Sequence, residues 1–118
     1  MKNVKDKVFE ALDAVFDNVG DQYPEDWTDL PAVLYVEEEN KVYERTDKEE
    51  KAIVRYRIDI WDNQSTSESA MKVDEALAGI GLVRTQCKDE PDPSRMKHKI
   101  MRYEGIIDME SDHVYWPN

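Results

Sequence analysis

The chain has 118 residues, 40% of them hydrophobic and 36% charged, with a formal net charge of −11. That length has room for one domain and a modest core. The acidity disfavours tight binding to DNA, RNA or an anionic membrane, because such affinity comes from Lys and Arg neutralising phosphate. The charge is also uneven: residues 1–50 carry fifteen acidic and six basic residues, whereas residues 51–118 carry twelve and ten.

Val4, Val8, Leu12 and Val15, with Phe9 and Phe16 alongside, recur at helical spacing and predict a helix from about Asn3 to Asp17. Asp6, Glu10, Asp13 and Asp17 form a second stripe at the same period. It reads either as a cation site or functional acidic surface, or as the solvated face of an amphipathic helix. A polar link follows, holding Tyr23-Pro24 and Trp27. Pro31–Val36 has the composition of a buried strand, stopped by the acidic run Glu37-Glu38-Glu39, and Lys41–Arg45 suits a short further strand. Thr46–Lys51 reads as a charged tip. Ala52–Asp62 is the clearest strand, with Val54, Tyr56, Ile58 and Ile60 on one side and Arg55, Arg57 and Asp59 on the other.

Ser65-Thr66-Ser67-Glu68 has the capping-box pattern and opens a helix to about Ala78, with Ala70, Val73 and Leu77 inward. Gly79 and Gly81 can supply its left-handed stop. Leu82–Lys88 and Met96–Met109 read as strands around a turn containing Pro91 and Pro93, and Gly105 marks an expected bulge. From about residue 110 the tail is polar except for Val114-Tyr115-Trp116. The order α-β-(β)-β-α-β-β, with short links, predicts a single α+β domain over residues 1–118. Its sheet is mostly antiparallel, of four to five strands, with two helices packed on one face.

Chemistry-bearing patterns are sparse. No glycine-rich phosphate loop is present, and no serine sits in a nucleophile elbow. His98, His113 and Cys87 lack the short ligand pairs of a structural zinc site, so the histidines read as surface residues and Cys87 as a small buried or half-buried one. A lone cysteine forms no internal disulfide. With no apolar leader, the expectation is a soluble chain made in a reducing cytoplasm. Arg55, Arg57, Lys97, Lys99 and Arg102 give a basic contrast on two strands. They form a subunit interface if those strands are neighbours, or pair across strands with Asp59, Glu104 and Asp108. Tyr115 and Trp116 anchor the tail either to its own domain or to a neighbouring subunit.

Three stretches carry a family resemblance. They are Leu30-Pro31-Ala32-Val33-Leu34-Tyr35-Val36, then Tyr56-Arg57-Ile58-Asp59-Ile60-Trp61-Asp62, and Met101-Arg102-Tyr103-Glu104-Gly105-Ile106-Ile107-Asp108. With the element order, they make the chain similar to the tail-terminator, or tail-completion, proteins of long-tailed bacteriophages, from the first helix to about Met109. The resemblance implies no catalysis and no cofactor, and the residues themselves offer no metal site. It implies a ring, typically hexameric, at the head-proximal end of the tail tube, which stops tube polymerisation and joins tail to head. The implied partners are further copies of the chain, the tail tube protein and the head–tail connector. DNA would pass through unbound, and no membrane is involved. The implied location is the host cytoplasm during assembly and then the virion tail. The expected lumen or acidic surface comprises Asp6, Glu10, Asp13, Asp17, Glu37, Glu38 and Glu39, since a negative wall repels phosphate. The rival reading is a small acidic regulatory module that recognises a basic protein partner. An enzyme using Asp59 and Asp62 is a third.

Overall fold

The computed structural model describes residues 3–45 and 50–116. Most of the charged tip expected at Thr46–Lys51 therefore lies outside the described residues. The elements run α1 (Lys5–Asp13), β1 (Asn18–Gly20), β2 (Ala32–Arg45), β3 (Glu50–Asp62), α2 (Ser67–Ala78), β4 (Val83–Asp89), β5 (Lys97–Asp108) and β6 (Val114–Tyr115). The strands form one sheet in the order β1-β2-β3-β5-β4, and β6 extends the β4 edge by pairing with β5. Every pairing is antiparallel except that of β1 with β2. The α+β architecture read from the sequence is therefore the observed one.

Both helices lie on one face. Val8 and Leu12 of α1, and Val73 and Leu77 of α2, are fully buried against Tyr35, Tyr56, Ile58, Met101 and Tyr103 of the sheet. Two buried tyrosines lock the helices in place. The Tyr56 hydroxyl accepts from the Val4 amide at 3.0 Å and donates to Glu37 Oε1 at 3.1 Å. The Tyr103 hydroxyl donates to Asp74 Oδ1 at 2.8 Å. Burial and the adjacent carboxylates push both phenols well above their ordinary range.

Several local expectations give way to tertiary constraints. The first helix stops at Asp13, four residues early. The Val15 amide tightens onto Leu12 O, the last turn buries Phe16, and Val15 is left exposed. The capping box does not form: Ser65 Oγ accepts from the Ser67 amide, and Thr66 at the N-cap makes no side-chain cap bond. At the other end of α2, Gly81 alone is left-handed, at φ +96°, while Gly79 stays helical. The Leu82 amide then bonds Leu77 O and the Gly81 amide bonds Ala78 O, closing the helix. Gly105 marks no bulge, for the β3–β5 register is continuous through it. A Cβ there would lie 2.8 Å from Leu82 Cδ2 and 3.0 Å from Val114 Cγ1, so glycine permits a close approach.

The acidic run does not stop the second strand either. β2 continues unbroken from Ala32 to Arg45, absorbing Glu37-Glu38-Glu39 in a bulge. Cys87 is exposed on the edge strand β4, where its neighbours carry no cover.

Candidate functional site

The face of the sheet away from the helices is where the unusual side chains meet. Alternation along β3 sends Ile53, Arg55, Arg57, Asp59 and Trp61 to that side. Register places Glu104, Arg102, Ile100 and His98 of β5 beside the last four of these. In a regular strand Glu38 and Glu39 would point to opposite faces. The bulge between Glu37 and Glu39 puts both against Arg55 instead, while Glu37 stays on the helix side with Tyr56.

Glu38 is the hub. Arg102 Nε donates to its Oε1 at 2.9 Å, Arg55 Nε lies 3.3 Å from the same oxygen, and Arg57 Nη1 lies 3.5 Å from Oε2. The Arg55 contact is poorly aimed for a hydrogen bond, so its contribution is Coulombic. Burial raises the Glu38 carboxyl, but the Arg102 bond and the three guanidinium charges outweigh it and hold the group below its ordinary value. Arg55 also reaches Glu39 and Glu104, and Arg102 donates to Gln86 on β4.

From this hub a polar chain runs toward one end of the sheet. Arg57 Nε donates to Asp59 Oδ1 at 2.8 Å, and Asp59 Oδ2 lies 3.0 Å from His98 Nε2. The His98 ring stacks on Trp61, with centroids 4.5 Å apart and planes 14° from parallel. Trp61 Nε1 donates to Asp92 Oδ2 at 3.2 Å. His98 is thus a largely buried member of the chain, not the surface histidine expected from the sequence.

A loop completes this end. β1 runs parallel to β2, so the chain must travel back along the sheet to begin β2. The helices occupy one face, and the 21–31 connection crosses the other. It lays Trp27 edge-on against Trp61 at 5.2 Å and Tyr23 against the same ring at 6.0 Å. Asn18 Nδ2 fixes the loop by donating to the carbonyls of Asp26 and Asp29, either side of Trp27. Opposite, the hydroxyl and amide of Ser94 bond Asp92 Oδ1, setting the 92–96 turn and lowering the Asp92 carboxyl from its ordinary value. Between the two loops lies an open cleft of about 500 Å³, lined by Tyr23, Trp27, Trp61, Met96, Asp59 and Asp92, with Ser94 and His98.

The residues singled out from the sequence are divided by this geometry. Arg55, Arg57 and Arg102 come together on the open face. Lys97 and Lys99 lie in register with Asp62 and Ile60, on the opposite side, and Lys99 pairs with Asp89 at 2.8 Å. The five cations are therefore not one patch, because successive β5 residues alternate faces. Asp6, Glu10, Asp13 and Asp17 are all exposed along α1 and its exit, whereas Glu37 is tied to Tyr56 and Glu38 and Glu39 to arginines. The seven carboxylates do not form a continuous surface. Tyr115 of β6 pairs with Ile106 of β5, which docks the tail on its own domain, and stacks on His113 within the tail at 5.6 Å; Trp116 beside it is half-buried. Asp59 is buried, ion-paired with Arg57 and in contact with His98, and Asp62 is half-buried at the end of β3.

Tyr23, Trp27, Asp92 and the His98–Trp61 stack were not singled out from the sequence. The signal available was the β3 alternation, which already sets Trp61 on the arginine face. Among the described residues, no group of three or more His, Cys, Asp or Glu side chains is arranged to hold a metal ion. No helix there is long and apolar enough to cross a membrane. Comparison with protein-family models finds no match to this chain, and comparison with curated proteins finds none either.

Proposed function

We propose that this chain is a non-enzymatic, self-assembling structural protein of the tail-terminator kind, forming a ring that ends a tail tube and joins it to the head. The observation that carries the reading is the pair of unlike open edges on a single sheet. β2 pairs with β1 only over Ala32–Leu34, so from Tyr35 to Arg45 its outer edge meets no strand among the described residues. Beyond the three glutamates tied to Tyr56 and the arginines, that strand carries Glu44 with Lys41 and Arg45, and Val42 and Tyr43 are 49% and 51% exposed. The opposite edge, β4, is exposed at every position and carries Arg84 and Lys88 against Asp89.

Open strand edges are templates for further pairing, and here bulges and charges on both guard against indiscriminate addition. Two different edges, one with exposed Val42 and Tyr43 and the other polar, favour a head-to-tail contact, which closes into a ring when the rotation between subunits permits. In such a ring the exposed carboxylates of α1 (Asp6, Glu10, Asp13 and Asp17) are the candidates for a phosphate-repelling lumen. The test is electron microscopy of the purified protein mixed with tail tubes assembled from a tube protein encoded beside it. Rings capping tubes of uniform length are expected. Tubes that grow unchecked with no protein at their ends would overturn the reading and favour the acidic module that binds a basic partner.

A further inference from the structure

The aromatic cleft at the end of the open face has the chemistry of a cation site. Three aromatic residues line it: Tyr23 and Trp27 are exposed by 71% and 39%, and Trp61 is buried beneath them. Aromatic faces attract cations through the ring quadrupole, best where water is partly excluded. The two carboxylates in the cleft are not equivalent. Asp59 is already neutralised by Arg57, but Asp92 pairs with no lysine or arginine among the described residues. Its hydrogen bonds from Ser94 and Trp61 hold it ionised and fixed against the aromatic wall.

The loop that supplies Tyr23 and Trp27 adds acidic charge beside the cleft. Residues 21–30 carry Glu25, Asp26 and Asp29 and no lysine or arginine, while Asp21 is paired with Lys5 at 3.4 Å. The cleft is also prebuilt, because Asn18 clamps one loop and Asp92 and Ser94 set the other. A lone small cation would use only the cavity. A basic peptide segment would place one side chain in the cavity and its neighbours along the acidic 21–30 loop, so the loop favours a segment over a lone cation.

We propose that this cleft binds the arginine or lysine side chain of a basic segment on a partner protein. The site is built within one chain and is independent of ring assembly. Calorimetric titration of the dilute protein with an arginine-rich nonapeptide tests it, with free arginine and a glutamate-rich nonapeptide as comparison probes. Saturable binding of the basic peptide is expected, tighter than free arginine and absent for the acidic peptide. Trp27→Ala and Asp92→Asn should each weaken it about tenfold, the loss expected for a cation–π contact or a partly desolvated charge. A quadruple variant of the α1 stripe (Asp6→Asn, Glu10→Gln, Asp13→Asn, Asp17→Asn) should bind as the parent does. No saturable binding would overturn the proposal. So would a basic peptide no tighter than free arginine, or an equal loss in the stripe variant, which would mean general attraction to an acidic protein. Trp27 is exposed, and Asn keeps the Oδ1 acceptor for Ser94 while giving up the Oδ2 acceptor for Trp61 Nε1; both cleft variants are expected to fold, which circular dichroism checks.

Discussion

Tyr56 and Tyr103 stand directly opposite each other in the β3–β5 ladder, and each hydroxyl ties down a different helix. Tyr56 satisfies the buried Val4 amide at the entrance to α1, while Tyr103 holds Asp74 of α2, which Arg84 of β4 also approaches at 3.5 Å. The helix layer therefore rests on two polar latches set into an otherwise apolar face.

The latches have different costs when cut. Tyr56→Phe leaves the Val4 amide without a partner in a buried place and is expected to destabilise the fold by about 2 kcal/mol. Tyr103→Phe should cost about 1 kcal/mol, since Asp74 keeps Arg84 and solvent. Urea denaturation measures both. Both phenols ionise at higher pH in the fold than their ordinary value of 10.0. Their contribution is therefore complete below about pH 10 and is lost as pH rises above it, because the unfolded chain releases those protons first. The double Phe variant should show a flatter alkaline limb.

Glu38 contributes to the acid limb. Its carboxyl lies below its ordinary value of 4.5 in the fold, so its contribution is present above that pH and is lost as pH falls through the depressed value. Glu38→Gln should cost about 2 kcal/mol at neutral pH, less than for a fully buried pair because the arginines keep contact with water. The stability curves of parent and variant should converge as the pH drops below 4.5. Parallel curves across that window would show that the arginine hub contributes nothing specific.

Two glycines hold the C-terminal tail. Gly81 has φ +96°, and a Cβ there would sit 2.3 Å from Val114 O. Gly81→Ala should cost at least about 2 kcal/mol and speed hydrogen exchange at β6. Gly105→Ala should cost about 1–3 kcal/mol through overpacking against Leu82 and Val114. At Gly20 a Cβ meets nothing nearer than 3.9 Å, so Gly20→Ala serves as the mild control.

The two sheet edges can be spoiled separately. Replacing Val42 and Tyr43 by Ser alters the β2 edge, and Lys88→Glu alters β4; as exposed changes, each should shift stability by no more than about 0.5 kcal/mol. In a head-to-tail ring, neither variant assembles alone. An equimolar mixture forms dimers through the one intact pair of edges, and sedimentation velocity reads this directly. Rings formed by either variant alone would exclude these edges as the contact.

The hydrophobic period of Ala52–Asp62 was enough to assign both its faces, and those of α1 and α2 picked out Val8, Leu12, Val73 and Leu77, because each element's own pattern records which side loses contact with water; Val15, expected on the same stripe, falls beyond the shortened helix and is exposed. That local record does not say which other element lies opposite. The bulge that brings Glu38 and Glu39 together on Arg55 depends on the register of β2 with β3. The arrival of Trp27 on Trp61 depends on a three-residue parallel strand too short to leave a pattern, which sends its return loop over the uncovered face. His98 reads as a polar residue in a lysine-rich strand until β5 is paired with β3, when it meets Asp59 and the face of Trp61. Core positions follow from the solvent preference of single side chains, whereas the charge hub and the aromatic cleft follow from long-range pairing, where a one-residue change in register redirects every side chain.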